Sequence, residues 1–246
     1  MKKLIPILQS LIYTTYLAEL LPFSTSLFFL KKIKDRGVKV FFFYVSAMAF
    51  FLCLSLYFKI IAKDLIHWIL VNRIFLFVEF ALLSTYYYYN LQWKYRKNFL
   101  WAATIAFFIY SVLDYLAAAA GTFNFIPLVV ECLFFALLII YFFYEKIQFY
   151  VSAPILPTHE FWVSVAFLLY FAGNFFLFLY SKSMLDNDAF RKEYTIIYGS
   201  LTIIKDILLS VAILVYAYVT IKSNRLNDPI NIDLGTFNPL QKKPNL

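Results

Sequence analysis

The stretch FNFIPLVVECLFFALLIIYFFY, residues 123–144, holds one charged side chain, Glu131, in an otherwise almost wholly apolar run. As a helix it would rise about 33 Å, against the roughly 30 Å hydrocarbon core of a bilayer. In hydrocarbon a spanning backbone must satisfy its own hydrogen bonds, which leaves helices and closed barrels. Barrel strands are about half this length and alternate apolar with polar residues; this run does neither. Comparable runs occupy residues 4–30, 39–61, 65–89, 98–118, 161–180 and 194–220. The expected fold is therefore an all-α polytopic transmembrane bundle of seven spans. Composition agrees: the 246 residues are 63% hydrophobic and 15% charged, with a mean hydropathy of +0.75, whereas soluble domains are roughly half apolar.

The first run is interrupted by Gln9, Glu19 and Pro22 and preceded by Lys2 and Lys3. It is too long and too polar for a signal-peptide core, and no small-x-small cleavage pattern follows, so it reads as span one. Trp68, the tyrosines at 86–89, Trp93, Trp101 and Trp162 fall at span ends, where amphipathic rings settle at the membrane interface. Thr158 is placed to cap the sixth helix, with Glu160 on the positive end of its dipole. One set of loops carries Lys31, Lys32, Lys34, Arg36, Lys39, Lys94, Arg96, Lys97, Lys146, Lys222, Arg225, Lys242 and Lys243. The other carries only Lys2, Lys3, Lys59, Lys63, Lys182, Arg191 and Lys192. Cytoplasmic loops retain Lys and Arg, so the N-terminus is expected outside and the C-terminus inside. Residues 1–222 should form the bundle, and residues 223–246 a polar, turn-rich and poorly ordered cytoplasmic tail.

The net charge of +8 sits mostly beside spans and is not a nucleic-acid footprint, so no nucleic-acid partner is expected. Cys53 and Cys132 lie inside apolar runs, where a thiol behaves as a small hydrophobe. There is no disulfide framework and no zinc spacing, and His159 has no second His or Cys within ligand distance in sequence. Neither a metal nor another cofactor is expected. HExxH and GxSxG patterns are absent, which argues against an enzyme. With no soluble domain expected, any signal must pass through the bundle to a partner.

An ionisable side chain within a span costs at least about 2.5 kcal/mol at its centre and marks a functional hypothesis. Here these are Glu19, Arg73, Glu79, Asp114, Glu131, Lys205 and Asp206, joined by the amides Asn72 and Asn174. At about 1.5 Å of rise per residue, Arg73, Asp114, Glu131, Asn174 and Lys205 fall within about 6 to 17 Å of the outer boundary, with Glu19 and Glu79 deeper. Arg73 and Lys205 can balance two of the outer carboxylates. Asn72 and Glu79, seven apart, share a helix face, and Arg73 is turned away from it. Tyr110 with Asp114, Tyr170 with Asn174, and Thr202 with Asp206 stand at i, i+4, each able to place a hydroxyl beside a carboxylate or amide. The expectation is an outward-opening polar pocket walled by spans three to seven. Its first layer is Arg73, Asp114, Glu131, Asn174, Lys205 and Asp206, and its deeper layer Glu19, Asn72 and Glu79.

Two bland alternatives stand beside a ligand pocket: the same groups can serve only as interhelical polar contacts, or they can conduct an ion or proton. A lysine midway along a seventh span is also where rhodopsins carry retinal. Against that, Leu201 stands four residues before Lys205 where an acid would be expected, the carboxylate is the adjacent Asp206, and the sixth span lacks a proline. Transporters tend to repeat their halves and to break helices at Gly or Pro; Pro22 and Pro127 are the few such breaks here, and an odd span count fits duplication poorly.

The segments FWVSVAFLLYFAGNFFLFLYS at 161–181, YTIIYGSLTIIKDILLSVAILVYA at 194–217 and NRIFLFVEFALLSTYYYYNL at 72–91 resemble an uncharacterised family of small bacterial seven-span inner-membrane proteins. Members are often encoded near sensor histidine kinases. The resemblance implies a multi-pass protein of the cytoplasmic membrane with a signalling partner, and it matches the family pattern at Asn72, Arg73, Glu79, Trp162, Tyr170, Asn174 and Lys205. Asp206 stands where the pattern has Asn. The expected function is a sensor or regulatory subunit whose pocket takes a small ligand and acts through a histidine kinase or another membrane partner, with small-molecule or ion transport as the alternative.

Overall fold

The computed structural model describes residues 4–29, 35–117, 124–149, 158–184 and 187–227, and every regular element among them is helical. The order is α1 (Leu4–Leu27), α2 (Arg36–Leu56) prolonged by a wider π turn (Tyr57–Ala62), α3 (Leu65–Asn90), α4 (Arg96–Ala117), α5 (Ile126–Phe149), α6 (His159–Met184) and α7 (Asp188–Asn227). Among the described residues, six helices, α2 to α7, are long and apolar enough to cross a membrane. The chain is a multi-pass membrane protein built of helices. The seventh helix runs to Asn227, beyond its expected end near 220, so the first residues of the expected tail, 223–227, are helical. The remainder of that tail lies outside the described residues, as do Lys2, Lys3, Lys31, Lys32 and Lys34 from the orientation argument.

Polarity is inverted relative to a water-soluble bundle. On α5, Val130, Leu133, Leu137, Ile140, Tyr144 and Ile147 form an exposed apolar stripe at helical spacing. The opposite face buries Cys132, Phe135, Ile139 and Phe142. A stripe of that kind is stable facing lipid, not water. Helices α2 and α3, α5 and α6, and α6 and α7 pack side by side, α4 packs mainly on α3 and barely on α5, and α1 closes the ring against α2 and α7.

Small residues permit the tightest crossings, as membrane helices require. A Cβ on Gly173 would lie 2.6 Å from Leu201 Cδ1, which marks close approach of α6 and α7; one on Gly199 would lie 3.0 Å from Thr15 Oγ1, which marks that of α7 and α1. One end of the ring is filled with aromatics. Tyr87 of α3 meets Phe142 of α5 with ring centroids 5.8 Å apart, and its hydroxyl bonds the Ser164 hydroxyl of α6 at 3.2 Å. Phe135 stacks on Phe171 at 5.3 Å.

The ends are capped locally. Thr158 Oγ1 accepts the Phe161 N–H at 3.4 Å. Asp64 Oδ1 accepts the N–H groups of Ile66 and His67, both at 3.1 Å. These amides, that of His67 foremost, hold the exposed Asp64 carboxyl below its ordinary range. Lys63 before it takes the left-handed conformation, φ 53°, that ends the π turn.

Candidate functional site

At the end opposite the aromatic layer the ring is hollow. A cavity of 670 Å³ runs from the exposed Lys59 and the rings of Tyr16 and Trp68 down to Glu19, Glu79 and Lys205. Its walls come from α1 (Thr15, Glu19), α2 (Met48, Phe51, Ser55), α3 (Asn72, Phe75, Glu79), α6 (Tyr170, Phe178) and α7 (Tyr194, Tyr198, Lys205), with Phe125 and Leu128 at the head of α5. This departs from the expected wall of spans three to seven. The first two helices take part and α4 contributes no residue, because α1 closes the ring on α7 through the gap left by Gly199, while α4 sits outside it.

Of the expected first layer, only Lys205 lines the cavity; all three residues of the expected deeper layer, Glu19, Asn72 and Glu79, do so. Arg73 turns to the outer face of α3, where Nη1 donates to Asp114 Oδ2 of α4 at 2.8 Å. Asn124 Nδ2 donates to the other Asp114 oxygen at 2.5 Å, and the guanidinium lies 5.5 Å from the Tyr115 ring centre. The pair is a peripheral tie between helices, separated from the cavity by α3 itself. One residue of rotation along a helix is about 100°, which is enough to send Asn72 inward and Arg73 outward.

The floor is dense in carboxyls. Tyr44 donates its hydroxyl proton to Glu79 Oε1 at 2.9 Å. Lys205 Nζ is 3.4 Å from Asp206 Oδ1, 3.8 Å from Met48 Sδ and 4.6 Å from the Tyr170 ring centre. Its ammonium is thus held on three sides. Asp206 is fully buried and Glu131 nearly so; neither is among the residues that line the cavity. Glu131 Oε1 and both Asp206 carboxyl oxygens make no hydrogen bond within the described residues. Asn174, also buried, donates to the Tyr170 carbonyl at 2.9 Å and leaves its own Oδ1 unbonded.

Two of the expected i, i+4 pairs turn out differently. Thr202 donates to the Tyr198 carbonyl at 2.9 Å, not to Asp206, and Asn174 takes the carbonyl of Tyr170, not its hydroxyl. In a helix the carbonyl four residues back is the nearest acceptor to a short polar side chain, and it wins over a side-chain partner. Asn72 shows the same habit, donating to Trp68 O at 2.7 Å, and in addition reaches Ser55 Oγ on α2 at 3.3 Å.

Sequence reasoning missed Tyr44, one of many aromatics in an apolar span; only the neighbouring helix reveals that its hydroxyl meets Glu79. It also passed over Glu145, which looks like a loop charge beside Lys146. The structure buries it at the aromatic end, where Oε1 accepts the Gln92 N–H at 2.5 Å. Among the described residues no cluster of His, Cys, Asp and Glu has the geometry to hold a metal ion. Compared with family models, curated proteins and solved structures, the chain matches none.

Proposed function

We propose that this chain is a membrane receptor or regulatory subunit: its cavity takes up a small ligand, and occupancy alters helix contacts that a membrane partner reads. The observation that carries this reading is the cavity, 670 Å³ in volume, within the range of about 300 to 1,000 Å³ usual for small-molecule sites. It ends on polar side chains, and beyond them the ring is closed by packed aromatics, a shape that suits binding better than passage. The π turn bearing Lys59 forms part of its rim, and such turns recur at functional sites.

In this reading α1 is the seventh crossing. Its hydroxyls spend their hydrogen bonds on their own helix, Thr14 on Ser10 O and Thr15 on Leu11 O, both at 2.9 Å. It follows α7 inward, with Thr15 against Gly199 and Glu19 within the field of Lys205. With the N-terminus outside, the cavity opens to the external face of a bacterial cytoplasmic membrane. A histidine kinase is the partner class to which the family resemblance points.

Transport is the second reading, favoured by the buried carboxyls of Glu131 and Asp206. One comparison separates the two: co-purification of the tagged chain with a co-expressed neighbouring histidine kinase, set against flux in liposomes holding the chain alone. Kinase retention without flux is the expected result. Robust flux by the isolated protein overturns the receptor reading.

A further inference from the structure

We infer that the ligand of this cavity is an organic cation, a protonated amine or quaternary ammonium carried on an apolar or aromatic body. The inference rests on the ligand-site reading above and adds the ligand's chemical class. The first ground is charge. At the floor the lining carries the carboxyls of Glu19 and Glu79, while the one lining ammonium there, Lys205, already pairs with Asp206 at 3.4 Å; the other lining cation, Lys59, sits at the exposed rim over Trp68. Arg73 does not line the cavity and pairs with Asp114 of α4. Carboxylates in a low-dielectric interior persist only when compensated, and an entering cation supplies that compensation where an anion would add to the repulsion.

The second ground is the hydrogen-bonding state of the lining acids. Glu79 gives one oxygen to Tyr44. Glu19, on the facing helix α1, lines the cavity without a hydrogen bond or ion pair to any described residue. A carboxylate so placed is ready to accept from an ammonium, the stronger, charge-assisted kind of bond.

The third ground is the wall. Tyr194 and Tyr198 stack at 5.8 Å and 12° along one side, and Trp68 stands at the rim. The protein's own cations already use such faces: Lys59 Nζ lies 5.6 Å from the Trp68 ring centre and Lys205 Nζ 4.6 Å from that of Tyr170. Aromatic faces attract cations through the ring quadrupole, more strongly when water is excluded. Acids at the bottom and rings around the side match a ligand with a cationic head and an apolar body.

The test uses the full chain in nanodiscs and three probes of like size: phenethylamine, 2-phenylethanol and 3-phenylpropanoate. Binding is measured by equilibrium dialysis, with empty nanodiscs as the reference. Phenethylamine should bind about tenfold or more tightly than the other two, and Glu19→Gln or Glu79→Gln, each checked for an intact melting transition, should weaken it by a similar factor. Equal binding of the alcohol or the carboxylate, or amine binding unchanged in both variants, overturns the cationic class and leaves the ligand site standing. Absence of binding by all three probes overturns both.

Discussion

Replacing Arg73 by Met tests whether the outer polar tie, rather than the cavity, holds α4 to the ring. Among the residues of α4, only Leu100 and Phe107 are buried, so the helix depends on few contacts. They include the Arg73–Asp114 pair at 2.8 Å, with side chains 11% and 10% exposed, the ring stacks Phe80–Phe107 at 4.1 Å and Phe99–Phe134 at 6.1 Å, and the tilted pair Phe77–Phe108 at 4.7 Å. Breaking a fully buried ion pair from one side costs about 3 to 5 kcal/mol, whereas interhelical polar contacts in membranes average about 0.6 kcal/mol. A pair one-tenth exposed, whose carboxylate keeps Asn124 as a partner, falls between these, at about 2 kcal/mol. For a chain of this size that corresponds to a fall of about 4 to 8 °C in the melting temperature in detergent. Arg73→Met/Asp114→Leu should recover at least half of it, because no lone charge is then left among apolar groups and the ring stacks still hold α4. A double variant that melts as low as the sum of its two single variants would refute this account.

Gly173→Leu should disturb the α6–α7 crossing, since even a Cβ there falls 2.6 Å from Leu201; a loss of about 1 to 3 kcal/mol is expected from overpacking, read as a lower melting temperature. Gly173→Leu/Leu201→Ala should restore part of it. Asp64→Ala should speed amide hydrogen exchange at Ile66 and His67, whose N–H groups the carboxylate accepts. Because the folded carboxyl titrates below its ordinary value, the cap is fully present above about pH 3.9 and is lost as pH falls through the lower folded value. Exchange at these two amides should therefore stay protected at pH 5 in the native chain.

Much of the bundle was legible from run length alone. The apolar run at 123–144 forms α5 from Ile126 onward, though the helix continues five residues further to Phe149, and α3 begins and ends within a residue of the apolar run at 65–89. The divergence of Asn72 and Arg73 onto different faces also followed from helical geometry. Less legible was which helices would face each other. Expected depth along the membrane grouped Arg73 and Asp114 with Glu131 and Lys205, yet height says nothing about azimuth around the ring.

What the amino-acid order by itself determined, then, is the solvent and the secondary structure: apolar runs too long for water and too uniform for a barrel, with hydrogen-bonding needs met inside each helix. Tertiary structure alone decided the site. Closure of α1 on α7 through Gly199 brought Glu19 to the cavity, the neighbouring helix α2 set Tyr44 on Glu79, and α4, left outside the ring, drew Arg73 and Asp114 away. The physical reason is that helix formation depends on local composition, whereas a cavity exists only between helices, where steric fit and the pairing of buried charge settle which faces meet.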